Sequence, residues 1–192
     1  MRKLIFLVIM VLCFVLSDGA HAQRVLPGMR GVELRGGMVD GFHTKGSDLG
    51  YYFGVAMATY TKNANKWVFG AEFLNKYYPY KSVRIPINQF TAEGGYYFKF
   101  LADGSKTFFL SLGTSALAGY ETVNWGEKVL FDGSALQHKD SFLYGGAITL
   151  EVEAYLTDRL VLLLSGRERI LWGTTSGHFH TQFGVGLKFI IN

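Results

Sequence analysis

The run Gln182-Phe183-Gly184-Val185-Gly186-Leu187-Lys188-Phe189-Ile190-Ile191 alternates strictly along the chain. Phe183, Val185, Leu187, Phe189 and Ile191 fall on one side of a period-two pattern, with Gln182, Gly184, Gly186 and Lys188 on the other. The pattern describes a strand with one apolar face and one small or polar face. A secreted chain that finishes on such a strand, after many others like it, reads as an outer-membrane β-barrel. Its closing strand must then pair with its first, because an open edge cannot face lipid.

The N-terminus reads as a secretory signal over residues 1–22. Arg2 and Lys3 supply the positive end, Leu4 to Leu16 is continuously apolar, and Ala20-His21-Ala22 has the small-x-small pattern of a cleavage site. The apolar run is too short to span a bilayer comfortably as a helix. Cys13 lies inside this run behind Leu12 rather than behind a small residue, so it does not mark a lipoprotein site. Residues 23–192 then contain no cysteine, and stability must come from a complete core or from a membrane. The formal charge of +4 is spread through the chain rather than gathered into a patch, which argues against a nucleic-acid footprint.

Length places 23–192 in a single domain, and eight strands are expected within it. They cover about 31–39, 51–60, 67–77, 87–100, 107–120, 142–156, 160–172 and 179–191. Most have the length a tilted strand needs to cross a bilayer, longer than the usual strand of a small soluble sandwich. The connections alternate. Those at 61–66, 101–106 and 157–159 are short and carry turn chemistry such as Asp103-Gly104 and Thr157-Asp158. Those at 40–50, 78–85, 121–141 and 173–178 lie at the other end. This predicts an eight-stranded antiparallel up-and-down barrel, with short turns and both termini in the periplasm and the longer loops outside. Trp67, Phe100, Phe108 and Phe109 should band the short-turn end, and Tyr77, Tyr78, Tyr120, Tyr144 and Trp172 the other.

Glu33, Arg35, Glu72, Lys76, Glu93, Lys99, Glu151, Glu153 and Arg167 share the face opposite the bulkiest apolar residues of their strands. Eight strands enclose just enough room for packed side chains. Charges inside must therefore pair, and these are expected to form an internal salt-bridge and hydrogen-bond plug. Arg169 is harder to place, because Glu168 disturbs the alternation beside it. His43, His138, His178 and His180 all fall at the long-loop end. A His-x-His pair could help hold a metal, and a histidine with Asp132 or Asp140 and Ser134 or Ser141 could form a lipid-acting site. Nothing in the spacing fixes such distances, so no catalytic residue, metal or cofactor is expected.

Two segments carry a resemblance. Residues 23–31 (Gln23-Arg24-Val25-Leu26-Pro27-Gly28-Met29-Arg30-Gly31) and 36–41 (Gly36-Gly37-Met38-Val39-Asp40-Gly41) resemble the start of the mature TraO proteins, a family encoded by conjugative transposons. The resemblance implies a non-enzymatic outer-membrane component of a conjugal DNA-transfer apparatus, with other proteins of that apparatus as partners. Gln182, Gly184, Leu187 and Phe189 resemble the terminal signal read by the outer-membrane assembly machinery, although the chain runs on through Ile190-Ile191-Asn192. Outer-membrane lipid is the remaining partner. DNA need not touch the protein, since so narrow a barrel cannot pass a nucleic-acid strand. Two rivals stay open at this level: a rim-histidine enzyme acting on lipid or glycan, and a soluble secreted β-barrel or sandwich whose apolar strand faces point inward. Alternation alone does not say which face is inside.

Overall fold

The structure is a computed structural model that describes residues 25–40, 50–80, 83–126, 140–174 and 177–191, with backbone alone at 78–80 and 83–84. The expected signal at 1–22 lies outside the described residues. The eight strands are β1 (Arg30–Val39), β2 (Gly50–Tyr60), β3 (Lys66–Tyr80), β4 (Val83–Ala102), β5 (Phe108–Val123), β6 (Ser141–Tyr155), β7 (Leu160–Trp172) and β8 (Phe179–Ile190). Each pairs antiparallel with the next, and β8 returns to β1 to close the barrel. That seam runs in unbroken register from Gly31 opposite Ile190 to Val39 opposite Gln182. Closure leaves no edge, so the wall's backbone polar groups can be satisfied within the sheet, as lipid demands.

The orientation of the pleat removes the soluble rival. Phe183 is 43% exposed and Val185 60%, while Lys188 between Leu187 and Phe189 is fully buried. The same division runs round the wall. Phe53, Val55, Phe69, Phe98, Leu112, Ile148 and Leu150 point out, and Glu33, Thr149, Glu151, Glu153 and Arg169 point in. A barrel with this greasy exterior is stable only in a lipid-like solvent. Among the described residues no helix is long and apolar enough to cross a membrane, and the crossing is made by strands.

Two expectations need correction. Residues 78–80 and 83–85, expected in a loop, are strand: the β3–β4 ladder continues through Tyr77 opposite Pro86 to Tyr80 opposite Val83. The neighbouring ladders stop earlier, at Asn75 with β2 and Ile87 with β5, so these strand ends are paired with each other alone in the sheet of the described residues. Pro79 and Pro86 fall beyond the last pairings with β2 and β5, where the ladder does not need their missing N–H groups. Phe109, expected in the outer aromatic band, is instead buried against Val25, Tyr60 and Tyr155. Phe108 and Phe109 are consecutive, and a pleated strand sends them to opposite faces. Trp67, Phe100, Tyr120, Tyr144 and Trp172 do lie on the outside. Tyr77 is half-buried, and the side chain of Tyr78 is outside the described residues.

Apolar layers lie at both ends of the interior. Val25, Tyr60, Phe109, Tyr155, Val161, Leu163 and Ile190 pack at the short-turn end. Leu117, Leu143, Ala147 and Leu171 form another layer toward the long-loop end, beside a group made by Val39, Tyr52 and Leu74. Between these layers the barrel is filled by charge.

Candidate functional site

The charged interior starts near the short turns. Lys188 of β8 donates to Glu153 and to the Tyr60 hydroxyl, 2.8 Å away, and lies 3.0 Å from Glu33. Lys66, the first residue of β3, reaches both Glu151 and Glu153. The Tyr60 hydroxyl donates in turn to Glu153 at 3.0 Å and accepts from Tyr155 at 3.2 Å. Aromatic faces line this level, with the Lys66 ammonium 5.2 Å from the Tyr97 ring and Lys188 4.9 Å from that of Tyr60.

The next level is built on arginine. Arg35 of β1 pairs with Glu33 on its own strand, with Glu151 at 3.3 Å and with Glu93 at 3.4 Å. Arg167 pairs with Glu93 at 2.7 Å and donates to Thr149 at 3.0 Å and to the Tyr97 hydroxyl at 3.1 Å. Above it Arg169 donates to Glu72 at 3.0 Å, and the Gln182 amide donates to the same carboxylate oxygen at 2.7 Å. Guanidinium groups suit this work because their fixed fork of donors serves several acceptors at once.

Seven of the nine residues expected inside therefore meet in one connected set: Glu33, Arg35, Glu72, Glu93, Glu151, Glu153 and Arg167. The other two stand apart. Lys76 is at the long-loop rim, where it donates to Asp40 at 2.6 Å. Lys99 lies near the short turns and makes no ion pair within 4.0 Å among the described residues; its backbone N–H donates to the Asn65 side-chain oxygen at 3.0 Å. Three members were missed. Lys188 shares the parity of Gln182, which was a usable signal. Arg169 shares that of Arg167, but Glu168 obscured it; Glu168 accepts from the Thr181 hydroxyl on the other face. Lys66, expected in the connection at 61–66, opens β3 instead and shares the parity of Glu72.

The described part of the rim is polar. His180 is buried and meets Asp40 at 3.2 Å through Nδ1, whereas His178 is exposed and faces the Leu171 carbonyl at 2.9 Å. They do not share a metal face: His178 precedes β8, and only His180 is held by the pleat. Partial burial would raise the Asp40 carboxyl, but hydrogen bonds from His180 and Lys76 outweigh it and hold the group at about 2. Asp140 accepts from the Tyr120 hydroxyl and the Val123 N–H, and Ser141 donates to the Gly173 carbonyl. His43, His138, Asp132 and Ser134 lie outside the described residues. Among the described residues no group of three or more His, Cys, Asp or Glu side chains is placed to hold a metal.

An outward apolar wall on a charge-filled eight-stranded barrel leaves the family to be decided by sequence. The family model described as "Conjugative transposon protein TraO" matches residues 26–191. The chain belongs to the TraO family. This TraO-family chain is thus a conjugative-transposon protein folded as an outer-membrane-type β-barrel. No curated protein matches it. Among solved structures it is similar to Neisserial surface protein A, at a TM-score of 0.59 and 14% identity, covering 84% of this chain and 97% of that one. The N-terminal β-barrel domain of Pseudomonas aeruginosa OprF is also similar, at a TM-score of 0.50 and 12% identity, covering 84% of this chain and 98% of that one. Identities this low speak for the shared fold alone.

Proposed function

We propose that this TraO-family barrel is a rigid, closed anchor that holds part of the transfer apparatus in the outer membrane. The observation that carries this reading is the interior. Ion pairs join β1, β3, β4, β6, β7 and β8 across the lumen, which ties opposite walls together and fills the space a conduit would need. Apolar layers at both ends support the same reading. The short turns and both termini face the periplasm and the long loops face outward, as in other outer-membrane barrels, after removal of residues 1–22. Gln182, Gly184, Leu187 and Phe189 present the terminal strand to the assembly machinery. Leu187 and Phe189 face outward, where an insertion partner can read them, and Gln182 turns in to Glu72. Binding to other transfer proteins then falls to the two ends of the barrel, and no direct contact with DNA is required.

The test has two arms. The purified barrel in planar bilayers is expected to show no discrete openings above the bare membrane. Donor cells lacking the chain should lose conjugal transfer and regain it on expression of the folded barrel. Steady channel activity would overturn the closed anchor, and undiminished transfer without the chain would overturn the structural role.

A further inference from the structure

The short-turn end carries a cleft that the anchor itself does not need. Its volume is about 350 Å³, at the small end of the range for ligand sites, and its walls come from three separate segments. One is the lead into β1, with Val25 and Pro27. This lead is pinned where Gly28 N–H donates to the Tyr60 carbonyl at 2.8 Å and Tyr60 N–H donates to Met29 at 2.8 Å. The second is the β2–β3 turn, closed by Thr61 N–H donating to the Asn65 carbonyl at 2.7 Å. The third is the β4–β5 turn, held by Phe108 N–H donating to the Asp103 carboxylate at 2.8 Å. Asn65 ties the second wall to the third through the Lys99 N–H. The cleft is thus held by hydrogen bonds on each side.

Its chemistry is one-sided. Lys62, Lys99 and Lys106 line it with no acidic residue among the lining groups, and none of the three has an ion pair within 4.0 Å among the described residues. The neighbouring Asp103 is occupied by Ser105 and by its own turn's backbone. Beneath the lysines lie the apolar Val25 and Phe109. Lys99 shares the inward parity of Thr91, Glu93 and Tyr97 on β4, whereas its neighbours Phe98 and Phe100 face out. Lys99 therefore faces the barrel mouth rather than the lipid-facing wall, and Lys62 and Lys106 belong to the exposed turns beside it. A phospholipid headgroup, anchored by chains against that wall, is badly placed to reach them. A water-borne peptide is not.

We propose that this cleft binds an acidic peptide segment of a periplasmic partner, its carboxylates on Lys62, Lys99 and Lys106 and an apolar side chain on Val25 and Phe109. The partner's compartment rests on the orientation given under the proposed function. The probe is a fluorescein-labelled peptide of alternating glutamate and leucine, titrated by anisotropy with the full barrel in phosphatidylcholine nanodiscs. Saturable binding is expected that weakens with salt and falls roughly tenfold in K62Q/K99Q/K106Q, the order expected for three partly exposed pairs. Retention of the heat-modifiable band checks that this variant folds. Should it not fold, the wild-type barrel still decides, because a glutamine-leucine peptide must bind much more weakly. Equal binding of the two peptides, or an unchanged affinity in the folded variant, would overturn the proposal. Displacement by inorganic phosphate or short-chain phosphatidylglycerol at lower concentration than the acidic peptide would overturn it too, reassigning the cleft to phosphate. Orientation is read separately by labelling Ser105→Cys with an impermeant maleimide. Labelling of intact cells would overturn the periplasmic partner whatever the anisotropy shows.

Discussion

Arg169 of β7 and Glu72 of β3 meet across the middle of the barrel, Nη1 to Oε1 at 3.0 Å. Their strands lie four apart in a closed ring of eight, which puts the two backbones on opposite walls. One ion pair therefore spans the lumen, with Arg167 and Gln182 serving the same carboxylate. Breaking a buried pair costs far more than its net contribution, because the surviving charge stays buried without its partner.

Glu72→Ala is accordingly expected to destabilise the barrel by about 3–5 kcal/mol. Urea unfolding in vesicles is the measurement. Glu72→Leu combined with Arg169→Leu should recover part of the loss, since the lone charge goes with its partner. A double variant no more stable than Glu72→Ala would mean that Arg169 finds other support in the lumen.

Gly184 occupies the position where a Cβ would fall 1.8 Å from the Tyr52 hydroxyl oxygen. Tyr52 is itself buried beside Val39 and Leu74 and cannot simply move outward. Gly184→Val should therefore slow closure of the β1–β8 seam even in detergent refolding, where no assembly machinery is present. The band shift on heating reports the folded fraction. Normal refolding of this variant together with failed insertion in cells would assign Gly184 to recognition alone.

Val185 lies near the middle of β8 and is 60% exposed on the outer face. Val185→Arg sets a guanidinium among acyl chains, at an expected cost of about 2–4 kcal/mol near the midplane and much less near an interface. Equilibrium unfolding in vesicles of two thicknesses measures it. A negligible effect in both would place this residue in a protein interface instead of lipid.

Asp40 gives the long-loop end an acid-sensitive clamp. Its carboxylate accepts from Lys76 at 2.6 Å and from the Thr181 N–H at 3.1 Å, joining the end of β1 to β3 and β8. The folded value of about 2 lies below the ordinary 3.8, so its contribution is complete above the latter and is lost as pH falls through the former. Wild type should thus exceed Asp40→Asn in stability at neutral pH, with the gap closing between about pH 4 and 2. Acid titration of the two proteins, followed by tryptophan fluorescence, tests this; a gap unchanged at pH 2 would remove the carboxylate's charge from the explanation.

The periodicity of the sequence determined where the strands run and which residues share a face, because a pleated chain sends successive side chains to opposite sides. Phe183 to Ile191 could be read this way without any partner. Alternation is nevertheless symmetric: it separates Lys188 from Phe189 without saying which of them meets solvent. Only closure of the sheet decided that, by burying Lys188 and leaving Phe189 outside. Partnership was decided there as well. Arg169 and Glu72 are 97 residues apart in sequence, and no local spacing relates them. They meet because the ring sets β7 opposite β3, and because a guanidinium is long enough to cross a lumen this narrow. The cleft around Lys62, Lys99 and Lys106 arose in the same way, from turns that are distant in the chain and adjacent only once the barrel is closed.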